Sequence, residues 1–332
     1  MSRRGVLGRA AGALALAAAG VSGAVSTRAF ADGRIRLLTS WFAQAEHGGY
    51  YQAVATGLYH AAGLDVSIDP GGPQINNAQL LLAGSADFTL YGDMAAVEAA
   101  QRGLPLVCVA TTYQTDPFCI ITHPDIHSLA QLKGHKILIA SAEQPVIWPL
   151  LKRRYGFSDD QLGPYTYNLQ PFLADPDLAI QSFATSEPYE LQKLGAKFNV
   201  LLLRDAGFPS YSNPVVTRRD LLSAHPQTVR AFLHASMQGW KSYLADPEPA
   251  NRLILAANPH MTAERIAFTL AQTKRLHMVT GGDAATGGIG IMTDARWQQI
   301  ADTMKQLGLL QPGDWRMAYD LTQIRSVRVM PS

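Results

Sequence analysis

Cysteine is nearly absent from this chain: two residues in 332. With no CxxC pair and no HExxH run, the common zinc frameworks and a disulfide-stapled scaffold are both excluded. Cys108 and Cys119 lie in apolar, strand-like segments, where two buried free thiols are expected rather than a bridge. An excess of one charge is missing too, with 28 Lys and Arg against 26 Asp and Glu. No basic stripe argues for nucleic acid or an anionic membrane surface as a partner. The motifs of acyl and phosphoryl chemistry are also absent. There is no GxSxG elbow, no GxxxxGK[ST] loop and no GxGxxG after a strand. Gly281-Gly282 through Gly287-Gly288-Ile289-Gly290 is glycine-rich, but no strand precedes it and no Lys-Ser/Thr closes it, so it reads as a loop. His123 and His127 are four apart, yet Pro124 disfavours a helix through them, and they read as surface histidines on a turn. No metal, no cofactor and no catalysis are expected.

One apolar run stands out, at residues 10–25. Arg3 and Arg4 precede it and Ala29-Phe30-Ala31 follows it, the small-x-small pattern of a cleavage site. Residues 1–31 are therefore expected to be a twin-arginine-like signal peptide, cleaved near Ala31, with the protein in a bacterial periplasm or outside the cell. The run is too rich in Ala and Gly to span a bilayer stably. The segment carries four arginines and no acid, so the remaining chain has 24 basic and 26 acidic residues. Those roughly 300 residues, 47% hydrophobic over the whole chain, suffice for one large or two medium domains.

Beyond residue 32, short apolar strands alternate with helices. Strands are expected at 35–39, 64–68, 88–91, 106–111, 118–122, 136–140 and 200–203. Helices are expected at 46–62, 75–83, 94–102, 145–155, 176–183, 226–244, 262–276 and 294–307, with a short one at 128–134. The alternation predicts an α/β fold of mostly parallel sheets flanked by helices. Two segments break the rhythm, at 113–117 and 207–214. They read as crossings between two lobes, one built from 32–112 plus 214–332 and the other from 113–213. Ligands of such folds sit at the carboxyl ends of the strands, in the cleft between lobes.

Polar and aromatic residues gather at those strand ends. Trp41, His47 and Tyr50 follow the first strand, and Tyr91 and Asp93 a later one. Gln114 and Tyr211 sit at the crossings, Gln144 follows 136–140, and Glu187 opens a further segment. These nine are the candidate ligand-binding residues. Flat rings with acceptor carboxylates and amides suit a planar polar ligand. Trp41 is the candidate stacking face, with Tyr91 or Trp148 as second wall. The cleft segments hold Glu46, Asp93, Glu143 and Glu187 and no Lys or Arg, which disfavours a small anion and favours a neutral or weakly cationic nitrogen heterocycle. Protonation of His47, or a carboxylate tail on the Gly48 and Gly49 amides, would shift that balance.

Trp41-Phe42, His47-Gly48-Gly49-Tyr50-Tyr51, Gly57-Leu58-Tyr59 and Gly63-Leu64 open a longer pattern. It continues in Gly84-x-Ala86-Asp87-Phe88, Leu132-Lys133-Gly134, Glu187-Pro188-Tyr189 and Asp294-x-Arg296-Trp297. This pattern resembles the substrate-binding proteins related to uptake of thiamine-pyrimidine precursors, a superfamily that includes sulfonate and nitrate binders. The resemblance implies a periplasmic binding protein of the type II topology, monomeric, delivering a solute such as a pyrimidine to an ABC permease with its ATPase. A sulfonate- or nitrate-type binder is an alternative, as is a sensor subunit that contacts a receptor. Pyrimidine-synthesising enzymes resemble the same opening, but their cysteine-rich iron motif is absent here.

Overall fold

The computed structural model describes residues 33–332, so the expected signal peptide lies outside the described residues. Ten strands form two sheets. They are β1 (Arg34–Leu38), β2 (Asp65–Asp69), β3 (Phe88–Leu90), β4 (Leu106–Tyr113), β5 (Phe118–Thr122), β6 (Lys136–Ile139), β7 (Leu162–Pro164), β8 (Leu178–Phe183), β9 (Asn199–Leu202) and β10 (Ser212–Arg218). The first sheet has the order β2-β1-β3-β10-β4 and the second β7-β6-β8-β5-β9. Each is mixed rather than mostly parallel. β10 runs antiparallel to β3 and β4, and β5 runs antiparallel to β8 and β9, while the remaining pairs are parallel.

The chain enters the second sheet after Tyr113 and returns at Ser212. A strand that re-enters a sheet straight from a short crossing comes back reversed, which no βα alternation foretells. Two further expectations fail locally. Residues 176–183, expected as a helix, form β8, whose Leu178–Ser182 stretch is fully buried. A short apolar run buried on both faces carries no period that separates strand from helix. The expected helix 46–62 breaks into a 3₁₀ turn at Ala45–His47 and helices at Gly48–Ala55 and Leu58–Ala61. Gly57, at φ 73°, supplies the left-handed residue at the last break.

Apolar packing puts the first sheet against the twenty-residue helix Pro226–Ala245, whose Val229, Phe232, Leu233, Trp240 and Tyr243 are buried. The contact is close because glycine allows it. A Cβ on Gly48 would lie 2.1 Å from the Tyr243 ring, and one on Gly49 2.2 Å from Trp240. Gly48 and Gly49 thus serve helix packing. Cys108 and Cys119 are free and buried, in different apolar clusters. Among the described residues, no helix is long and apolar enough to cross a membrane.

Candidate functional site

The strand ends of the two sheets meet in an aromatic and acidic region. Trp41, on the loop after β1, reaches Tyr167, just past β7; their ring centroids are 5.8 Å apart at 49°. Phe42 packs edge-on to Trp41 at 5.6 Å, and Tyr165 lies 5.3 Å from Tyr167. Tyr167 has φ 61°, a left-handed conformation rare for a bulky residue. That backbone turns its ring out from the sheet edge, where it is 53% exposed.

Glu143 and Glu187 lie near Tyr167, and Glu46 lies near Glu187. Glu143 follows β6, Glu187 follows β8, and Glu46 sits in the turn Ala45–His47. All three are partly buried. Dehydration raises each carboxyl above its ordinary range; for Glu143 it is the sole cause. For Glu187, dehydration is opposed by the Phe183 amide, by the Ser182 hydroxyl and by the charge of Arg265. Phe183 N–H and Ser182 Oγ–H each donate to Glu187 Oε2 at 3.0 Å. For Glu46, dehydration is opposed by its own backbone amide, by the Thr185 hydroxyl and by Arg265, while Glu187 adds repulsion. The negative neighbours Glu143 and Glu187 also raise the Tyr167 phenol beyond what burial does. The region is not wholly free of cations, contrary to expectation. Arg265, from the helix Ala263–Arg275, donates to Glu190 Oε1 at 3.3 Å and to Ser186 Oγ at 3.0 Å. It is engaged by these partners rather than presented as an open anion clamp.

The remaining candidates from the sequence lie elsewhere. Tyr50 is in the core, its hydroxyl 2.5 Å from Thr112 Oγ1 and its ring edge-on to Trp240. His47 is fully buried, 3.3 Å from Ser40 Oγ, and burial lowers its pKa to about 3. It is a neutral core residue at any physiological pH. Tyr91 packs against an apolar cluster, with Glu98 and Arg102 as charged neighbours. Trp148 is buried, donates to Asp159 at 2.8 Å and packs on Phe157. Neither of these rings lies against Trp41; Tyr167 and Phe42 do. Gln144 bonds the Ile139 carbonyl and borders an outer hollow of about 570 Å³ together with Lys152, Arg153 and Gln306.

Asp93, Gln114 and Tyr211 gather at the two crossings. Asp93 accepts from Ser210 Oγ and from the Tyr211 amide at 2.8 Å. Gln114 is tied to Met278 and Ile291 carbonyls, both at 2.7 Å. Tyr211 donates to Asp283 Oδ2 at 2.9 Å and accepts from Thr293 N–H at 3.0 Å. The glycine-rich segment that read as a free loop is thus strapped across both crossings. Sequence reasoning missed Tyr165 and Tyr167. Their signal was a Tyr-x-Tyr pair at the carboxyl end of a strand that Gly163 and Pro164 disguise.

The two mixed sheets flanked by helices have the periplasmic binding protein fold. Residues 44–250 match the family described as NMT1/THI5 like, and the chain belongs to that family. It is 26% identical over 299 residues to the riboflavin-binding protein RibY of Chloroflexus aurantiacus, covering 86% of this chain and 84% of that one. It is 21% identical over 231 residues to a formylaminopyrimidine-binding protein of Halalkalibacterium halodurans, covering 67% and 69%. In structure it resembles the periplasmic aliphatic sulphonate binding protein SsuA of Escherichia coli. The TM-score there is 0.63 at 19% identity, over 86% of this chain and 91% of that one. The same fold also houses the desulfurization enzyme DSZB, with TM-score 0.60 at 14% identity over 89% and 99%.

Proposed function

We propose that this chain is the solute-binding component of an ABC importer. In this reading it holds an aromatic nitrogen heterocycle with ring N–H or amino donors, an aminopyrimidine or a larger ring system of the same kind. The lobes are residues 32–112 with 214–332, and 113–213. The ligand bridges them, stabilises the closed form, and the permease reads closure. The protein acts as an exported monomer.

The observation that carries this reading is the Trp41–Tyr167 pair spanning the sheets beside Glu143 and Glu187. Two ring faces supply stacking area. Dehydrated carboxylates, beside an Arg265 that Glu190 and Ser186 already engage, favour a donor edge over an anion. The named relatives bind riboflavin and formylaminopyrimidine, ligands of this chemical class. An enzymatic reading has no support in the thiols. Burial pushes both Cys108 and Cys119 well above the ordinary thiol range, so neither is a poised nucleophile. Trp41, Tyr165, Tyr167, Glu143 and Glu187 are the residues assigned to the ligand. Calorimetry of the purified protein with an aminopyrimidine, riboflavin and an alkanesulfonate tests the assignment. Heat from a heterocycle and none from the sulfonate supports it, and the reverse refutes it.

A further inference from the structure

The segment that carries Glu187 is gripped by a helix from the other half of the chain. Glu187 opens the helix Glu187–Lys193, and its carboxylate turns back to accept from Phe183 N–H and Ser182 Oγ–H, both on Oε2. Oε1 keeps its acceptor capacity. Ser186 stands at the N-cap position of that helix, where a serine side chain usually accepts from the second or third amide. It makes no such bond. Its Oγ instead accepts from Arg265 Nη2 at 3.0 Å, while Arg265 Nη1 donates to Glu190 Oε1 at 3.3 Å. Ser186 and Glu190 are four apart and share a helix face, so one guanidinium fork spans both. Thr269, four residues after Arg265, donates from its hydroxyl to the Thr185 carbonyl at 2.8 Å. The gripped residues, Thr185, Ser186 and Glu190, lie on either side of Glu187.

The gripping helix, Ala263–Arg275, lies in the chain after β10 has rejoined the first sheet. Its Ile266 and Leu270 join the apolar cluster that contains Phe232 and Trp240. Its far end is fixed near the crossings. There Arg204, after β9, donates to the Leu276 carbonyl at 3.2 Å, and the Gln114 amide donates to the Met278 carbonyl at 2.7 Å. Thirteen residues at about 1.5 Å each make a strut of about 20 Å from the crossings toward Glu187. The Arg265 and Glu190 side chains are 30% and 38% exposed. Opening the grip therefore strands no fully buried charge.

We propose that Arg265 is a positioning residue for Glu187, a role that presupposes the assignment of Glu187 to the ligand. With Thr269 it forms a clasp between the lobes that sets the carboxylate in place as the cleft closes. Arg265 acts through the Glu187 segment and not on the solute itself. Dehydration raises the Glu187 carboxyl and the Arg265 charge opposes that rise, so the clasp also favours the ionised acceptor. Solute capture and lobe closure then depend on one contact.

Amide exchange in the ligand-free protein reads the clasp without any solute. Tyr189 N–H, bonded to the Ser186 carbonyl at 3.0 Å, reports on the gripped turn. Arg265→Gln is expected to lower protection at Tyr189 and Glu190 about tenfold, the loss of a charged hydrogen bond, and to leave Ile180 in β8 unchanged. Arg265→Lys keeps the charge but loses the fork, and is expected to do the same. Affinities for riboflavin and an aminopyrimidine read the positioning. Each variant is expected to weaken the heterocycle that binds by about tenfold. In a Glu187→Gln background, Arg265→Gln is expected to cost no further affinity, because its effect passes through Glu187. A merely structural arginine would cost the same in both backgrounds, and that result overturns the proposal. So does unchanged exchange at Tyr189 and Glu190 in Arg265→Gln. Should neither heterocycle bind the wild-type protein, the ligand assignment falls and the exchange still decides the clasp. Ser186→Ala, which removes one acceptor of the fork and is expected to lower the same protection, takes the place of Arg265→Gln if that variant does not fold.

Discussion

Trp41 and Tyr167 come from different sheets yet meet with ring centroids 5.8 Å apart. Neither ring is needed to fill a core. Trp41 is partly buried, Tyr167 is 53% exposed, and the Tyr167 backbone is held in a left-handed conformation. Unfavourable backbone that persists at a strand end is commonly tied to a binding role.

Removing either ring should therefore weaken binding more than folding. Trp41→Ala and Tyr167→Ala should each lower heterocycle affinity by about 1–3 kcal/mol, the range seen for base–aromatic stacking. Melting temperatures should move little. Calorimetry and thermal melts on the same preparations separate the two effects. A large drop in melting temperature with affinity intact would make the pair structural.

Glu143 should behave oppositely in folding and binding. Its carboxyl is raised by dehydration alone. A raised acid contributes stability below its ordinary pKa and loses it as pH rises through the folded value. Glu143→Gln should then raise the melting temperature at pH 7 and leave it nearly unchanged at pH 4. Affinity for a donor-bearing ligand should fall at pH 7 and change little at pH 4, where the carboxyl is already protonated. Glu187→Gln differs, because Glu187 already accepts from Phe183 and Ser182, and it should lose stability as well as affinity.

His47 sets an acid limit. Its pKa falls from the ordinary 6.5 to about 3 through burial. The unfolded chain binds that proton first, so stability is complete above about pH 6.5 and is lost as pH falls toward 3, with a slope of up to about 1.4 kcal/mol per pH unit. Urea unfolding of wild type and His47→Gln between pH 4 and 7 should differ by that slope. Parallel curves would show that His47 is protonated in the folded protein.

Two glycines offer a paired test of packing against backbone. Gly49→Ala pushes a methyl group to 2.2 Å from the buried Trp240 ring and should cost about 3 kcal/mol, the upper end of overpacking. Gly57→Ala meets nothing within 4 Å but sits at φ 73°, and should cost about 1–2 kcal/mol. Equal losses in urea unfolding would contradict the helix contact described for Gly49.

Most strands were legible because they are short apolar runs bounded by turn residues, as at Phe118–Thr122. β10 was not, because Pro214 reads as a breaker. The proline is tolerated there because β3 is short: its Leu90 pairs with Val215, and beyond it only the Pro214 carbonyl is used, by Tyr91 N–H. Trp41 could be placed at a strand end from its position after β1, whereas Glu187 followed a segment that reads as a helix and forms β8. Asp93 and Tyr211 have the same chemistry and looked the same in sequence. What separates them is which partners already occupy their polar atoms, Ser210 and Asp283 among others. That is a property of tertiary contact between residues more than a hundred positions apart for Asp93 and Ser210.

The most direct test of the account is a calorimetric titration of the wild-type protein and Trp41→Ala with riboflavin, an aminopyrimidine and an alkanesulfonate at pH 7. The account predicts saturable binding of at least one heterocycle, weakened in Trp41→Ala, and no heat from the sulfonate. Tight sulfonate binding with no response to either heterocycle would contradict it.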